Sequence, residues 1–180
     1  MPYAVYRASA LVLAAVLLAG CSEDEPEDKN DTGPDRSVVE QGIADLYAGD
    51  RATEQDAETG ACFAGELLDR ADVDLLEGAG IITDSGDVAA ELPAFDDELA
   101  RLWVDAQFAC VDYVEESTRA LVAQSRGQLD QETYARCLRE ALTEDQIRAA
   151  VEATLTGDWE SPEVTALANA QAECQQQASG

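Results

Sequence analysis

The chain has 180 residues, of which 11 are basic and 38 acidic, with a formal net charge of −27 and no histidine. A surface of that sign repels phosphate backbones and anionic lipid headgroups, so nucleic acid is not an expected partner. The missing histidine removes Ser–His and Cys–His nucleophile pairs, the usual general base near neutral pH, and the commonest zinc ligand.

In chain order, the first element is a leader over residues 1–20. MPYAVYR carries one side-chain charge, on Arg7, and residues 8–18 (ASALVLAAVLL) are apolar except for Ser9. A basic start, a short apolar run and small residues before a cut describe a secretory signal peptide. The run is too short for a permanent span, which takes about 20 apolar residues.

The four residues that close this run, Leu18-Ala19-Gly20-Cys21, resemble the lipobox of bacterial lipoproteins. The resemblance covers residues 1–21 only. It implies a diacylglycerol on the Cys21 sulfur, cleavage that leaves Cys21 as the new N-terminus, and palmitate-type acyl chains as anchor. One acyl chain binds membranes marginally, and the implied diacyl cysteine supplies two. The expected location is then the outer face of the bacterial cytoplasmic membrane, with the membrane as a partner through the lipid. An ordinary cleaved leader with a coincidental cysteine is the rival reading.

Residues 21–36 follow as a lipidated cysteine and a tether. Ser22–Arg36 (SEDEPEDKNDTGPDR) holds two prolines, seven carboxylates and no large apolar residue. Such a segment cannot bury enough surface to offset its ordering entropy, so a disordered acidic spacer is expected. Removal of residues 1–20 takes away Arg7 and no acid, so the charge moves from −27 to −28.

Residues 37–180 read as one all-α domain, a small bundle of about six to seven helices. Good helix formers dominate, and Pro93 and Pro162 are the only prolines after the tether. Predicted helices are 38–48, 54–69, 73–79, 95–125 with a break near Ser117, 130–142, 144–156 and 162–176. Ser37–Glu40 and Thr143–Gln146 fit capping boxes, Asp72 fits a cap, and Ser161-Pro162 fits a cap with proline at the first helical position. Phe95, Leu99, Leu102, Trp103, Ala106, Cys110, Tyr113 and Val114 mark a buried stripe at three- and four-residue steps. Acid-to-arginine pairs four residues apart (Glu66–Arg70, Asp97–Arg101, Glu115–Arg119, Glu132–Arg136 and Glu144–Arg148) give those arginines a plain helical explanation, at about 0.2–0.5 kcal/mol each.

Four cysteines lie in this domain: Cys62, Cys110, Cys137 and Cys174. In an exported chain they read as two disulfides, and their wide spacing disfavours a metal site, which wants close pairs. A weak echo between Asp105–Cys110 (DAQFAC) and Asn169–Cys174 (NAQAEC) suggests two tandem disulfide-closed units, 53–116 and 129–176. Chance similarity among alanine- and glutamate-rich helices is the alternative. The repeat favours Cys62–Cys110 and Cys137–Cys174 among the three possible pairings. The runs QETYARCLREAL (131–142) and AQFACVD (106–112) resemble those of uncharacterised secreted helical proteins of actinobacteria, a resemblance that implies a style of fold and no activity.

Carboxylates are the only plentiful reactive groups, and Glu66/Asp69, Asp96/Asp97 and Glu115/Glu116 are the pairs that sequence brings close. Neighbours on a solvated helix do not face each other across a substrate, as a glycosidase requires. Thr83–Asp87 does not complete a calcium loop, and no catalytic residue, cofactor or metal is expected. Trp103 lies on the apolar stripe, whereas Trp159 sits in a turn and is the candidate partner contact. The expected function is a membrane-anchored extracytoplasmic lipoprotein, a non-enzymatic interaction or structural module of the cell envelope with an envelope protein as partner. A carrier of lipid or another apolar molecule is the alternative, with a carboxylate-dependent cell-wall hydrolase behind it.

Overall fold

Each helix begins at a side chain that accepts a hydrogen bond from its own first turn, and these caps divide the chain. The structure, a computed structural model, describes residues 35–50 and 52–179. The expected leader, Cys21 and the tether up to residue 34 lie outside the described residues. The helices are α1 (Arg36–Ala48), α2 (Glu54–Leu68), α3 (Val73–Gly78), α4 (Asp97–Cys110), α5 (Tyr113–Gln124), α6 (Gln131–Ala141), α7 (Glu144–Leu155) and α8 (Pro162–Ala178). Among the described residues the only extended pairing is one isolated bridge, Ile82 to Val88. The domain is all-α.

Five of the eight caps are aspartates: Asp35, Asp72, Asp96, Asp112 and Asp130. A carboxylate there satisfies orphan backbone donors and faces the positive end of the helix dipole. Thr53 with Asp56, and Thr143 with Gln146, form reciprocal capping boxes. Ser161 caps α8 ahead of Pro162 at its first turn.

Three local expectations need correction. The start of α1 is not a Ser37–Glu40 capping box: Asp35 is the cap, accepting from the Ser37 N–H at 2.9 Å, so Asp35 and Arg36 belong to the fold and not to the tether. The long helix of 95–125 breaks at Val111, not near Ser117. Val111 is extended, and the Asp112 carboxylate accepts from the Glu115 N–H at 3.0 Å to start a new helix. The same joint recurs between α6 and α7, where Leu142 is extended and Thr143 caps.

The break divides the apolar stripe between two cores. Phe95, Leu99, Trp103 and Ala106 join Val39, Ile43, Phe63, Leu67 and Leu76 in a cluster built by α1–α4. Val114 belongs with Tyr134, Leu138, Ile147, Leu167 and Cys174 in a second cluster built by α5–α8, against which Tyr113 packs. The first cluster is organised by rings: Phe63 stacks on Tyr47 at 4.2 Å between centroids and meets Trp103 at 4.6 Å. Each fully buried ring of this kind contributes about 1.5–3 kcal/mol of burial.

One disulfide serves each cluster. Cys62 on α2 joins Cys110 at the end of α4, with an S–S distance of 2.03 Å. Cys137 on α6 joins Cys174 on α8 at 1.98 Å. The two cores touch where α7 meets α4, and the Phe95 N–H donates to the Leu155 carbonyl at 3.0 Å to pin the entry of α4 to the end of α7.

Candidate functional site

The acidic chain commits many of its carboxylates locally. Of the pairs singled out in the sequence, Glu66 is bonded to Arg70, Asp69 to Arg36 at 2.7 Å, and Asp96 caps α4 through the Leu99 N–H at 2.9 Å. Glu115 lies 3.4 Å from Arg139 and Glu116 lies 2.7 Å from Arg119. Asp97 occupies the first turn of α4. Thr83–Asp87 is a tight turn in which the Ser85 hydroxyl donates to Asp87 Oδ2 at 2.8 Å and the Thr83 N–H donates to the Asp87 carbonyl. Among the described residues no three metal-ligating side chains converge.

A surface groove of about 960 Å³ lies between α2, α5 and α6 and is walled by Cys110, Asp112, Glu116, Arg119, Arg136 and Arg139. Its arginines are engaged. Arg119 bonds Asp56 at 2.6 Å and Glu116 at 2.7 Å, while Arg139 bonds Asp112 at 3.1 Å as well as Glu115. Capping and these contacts hold acids ionised. The Asp56 carboxyl is drawn down to about 2, first by the Thr53 N–H and then by Arg119. Asp35 and Asp130 are lowered chiefly by hydrogen bonds from Ser37 and Thr133. Asp112 is opposed by partial desolvation yet lowered on balance by the Glu115 N–H and Arg139. A carboxylate held low is a poor general acid at neutral pH.

Several of these pairs cross between helices, which a four-residue spacing rule does not see. Arg119 does not pair with Glu115 as expected, because Glu115 turns to Arg139 on α6 and Arg119 reaches Asp56 on α2. Arg101 donates to the backbone carbonyl of Asp97 at 3.4 Å, not to its carboxylate. Arg148 does reach Glu144 at 2.9 Å, and it also bonds Asp105 on α4 and lies 4.3 Å over the Phe108 ring.

The two tryptophans have opposite environments. Trp103 is 4% exposed inside the first core, while Trp159 is 65% exposed, the most exposed large apolar side chain described. Trp159 stands on a corner fixed on both sides. Gly157 takes a φ of +82°, the left-handed conformation that lets α7 turn out, and the Asp158 N–H donates back to the Ala153 carbonyl at 2.8 Å. On the far side the Ser161 N–H donates to the Asp158 carbonyl, and the buried Ser161 hydroxyl caps α8. Gly157, Asp158, Trp159 and Glu160 are consecutive exposed residues. Asp158 and Glu160 take part in no ion pair among the described residues.

Cys21 lies outside the described residues. No protein family, curated protein or solved structure matches the chain.

Proposed function

We propose that the chain is a lipid-anchored extracytoplasmic protein whose disulfide-braced helical body works by contact with an envelope protein and performs no catalysis. The observation that carries the reading is the seam in the sequence, where an apolar run ends in Leu18-Ala19-Gly20-Cys21 and a carboxylate-rich segment begins at once. Two properties of the folded part support the interaction role. The carboxylates whose acidity is displaced (Asp35, Asp56, Asp112 and Asp130) are all displaced downward, into the ionised form used for capping and ion pairing. The one exposed aromatic side chain among the described residues, Trp159, sits on a corner locked by backbone hydrogen bonds. A carrier of apolar molecules would use an enclosed apolar hollow, whereas the groove between α2, α5 and α6 is open and walled in part by arginines and carboxylates.

The test is growth of the native host with an alkyne-bearing palmitate, followed by membrane fractionation and crosslinking in intact cells. Label on the wild-type chain, its loss in a Cys21→Ser variant, and a reproducible crosslinked neighbour are the expected results. An unlabelled chain recovered with its leader attached and its thiols free would sink the proposal.

A further inference from the structure

The corner at residues 157–160 combines three properties found together nowhere else among the described residues: an exposed indole, two exposed carboxylates beside it, and no basic residue near it in sequence. From Ala149 to Ser179 the chain contains no lysine or arginine, while Glu152, Asp158, Glu160, Glu163 and Glu173 are acidic. Some acids elsewhere are paired across helices, as Asp56 is with Arg119 and Asp105 with Arg148, and residues 71–100 also carry acids without a base, but that stretch has no exposed aromatic ring. The indole face is the best side-chain π surface for a cation, and carboxylates on either side add attraction of the same sign. Order is supplied in advance: the turn is closed by the Asp158 N–H on Ala153 and by the Ser161 cap, so binding would cost little further ordering of the backbone.

We propose that Trp159, flanked by Asp158 and Glu160, is the docking surface for a basic segment of a partner protein, with an arginine or lysine side chain laid over the indole. This rests on the interaction-module reading above and names the chemistry of its partner. A protein cation fits better than a choline headgroup, because the phosphate that accompanies choline would meet Asp158 and Glu160, whereas an arginine brings no anion with it. The net charge of −27 steers basic partners toward the chain in general. The indole between the two acids is what makes one place on it specific.

The experiment uses the full chain and a fluorescently labelled, N-acetylated peptide of alternating arginine and glycine, with the same peptide carrying citrulline for arginine as neutral isostere. Anisotropy is read at about 0.1 M salt, where charges more than about 10 Å apart are largely screened. Saturable binding of the arginine peptide is expected. It should weaken about fivefold or more with citrulline, in Trp159→Ala and in the Asp158→Asn/Glu160→Gln double variant, while Trp159→Phe keeps part of the affinity. Trp159 is exposed and its turn is held by backbone groups, so all variants should keep the wild-type circular dichroism and melting temperature. Absence of binding, or a loss below twofold in Trp159→Ala, would overturn the proposal, since general acidity would then be the whole effect. Trp159-dependent self-association in sedimentation, or Trp159-dependent binding to phosphatidylcholine vesicles, would equally overturn it by naming another occupant. Palmitate labelling and crosslinking in cells do not depend on this corner, so failure here is distinguishable from failure of the broader reading.

Discussion

Arg119 on α5 holds Asp56 on α2 at 2.6 Å, and through it the first core is tied to the second. Asp56 is also the reciprocal partner of Thr53 in the capping box of α2. One carboxylate therefore closes a helix end and bridges two halves. With both side chains partly exposed, Arg119→Ala should shift the urea midpoint of the domain only slightly downward, as such pairs contribute little. The Asp56 carboxyl should titrate at higher pH in that variant, though still below its ordinary value, because the Thr53 N–H remains. A double-mutant cycle with Asp56→Asn separates the bridge from the cap. A coupling indistinguishable from zero would show that the bridge adds nothing.

The two disulfides differ in exposure, and that difference predicts the order in which they open. Cys62 is exposed and Cys110 half-buried, whereas Cys137 is half-buried and Cys174 is 1% exposed. Thiol–disulfide exchange needs direct access of the attacking thiolate to sulfur. Timed reduction with a dithiol, followed by alkylation and peptide mass mapping, should show Cys62 and Cys110 labelled while Cys137–Cys174 is still closed. Earlier opening of Cys137–Cys174 would contradict the ordering. By loop entropy each bridge contributes about 4 kcal/mol, a large share of the stability of a modest domain, so full reduction should loosen or unfold it.

Helix starts were legible in the sequence because a cap is a local, short-range signal. Thr143–Gln146, Asp72 and Ser161-Pro162 can each be read from four residues. The break after Cys110 was hidden by a stronger signal. Tyr113 and Val114 continue the three- and four-residue spacing of the α4 stripe, yet they belong to a different core. The clue was Asp112 followed by Glu115 and Glu116, a capping pattern in the middle of an apolar periodicity. Inter-helix ion pairs such as Asp105–Arg148 had no sequence signal at all, because they depend on how helices pack. Trp159 was legible as a turn residue from Gly157-Asp158 and Ser161-Pro162, but its exposure is a property of the assembled corner.

Close packing of α1 on α2 makes Gly60 a sensitive position. A Cβ built there would sit 2.5 Å from the Ala44 carbonyl oxygen and 3.3 Å from the Ala48 Cβ. Alanine would favour the helix by about 0.5–1 kcal/mol over glycine, but backbone on the facing helix cannot give way as a flexible side chain can. Gly60→Ala should therefore destabilise by about 1–3 kcal/mol, the cost of overpacking. A melting temperature equal to or above that of the wild type would show that the helices separate freely.

Stability should respond to pH on two limbs set by different groups. Asp56 has a folded value of about 2 against an ordinary 3.8, so its contribution is present above about pH 4 and is lost as pH falls toward 2. Asp35, Asp112 and Asp130 shift in the same direction and steepen that limb. Tyr47 behaves oppositely: burial, aided by the nearby Glu116 charge, pushes its hydroxyl from 10.0 up to about 12, so its contribution holds below pH 10 and fades between 10 and 12. Melting followed by circular dichroism should thus show its highest values between about pH 4 and pH 10 and fall on either side. Asp112→Asn should make the acid-side fall shallower, because one of the carboxylates that drives it is gone, and a melting temperature unchanged from pH 4 down to pH 2 would show that the capped and paired carboxylates contribute nothing.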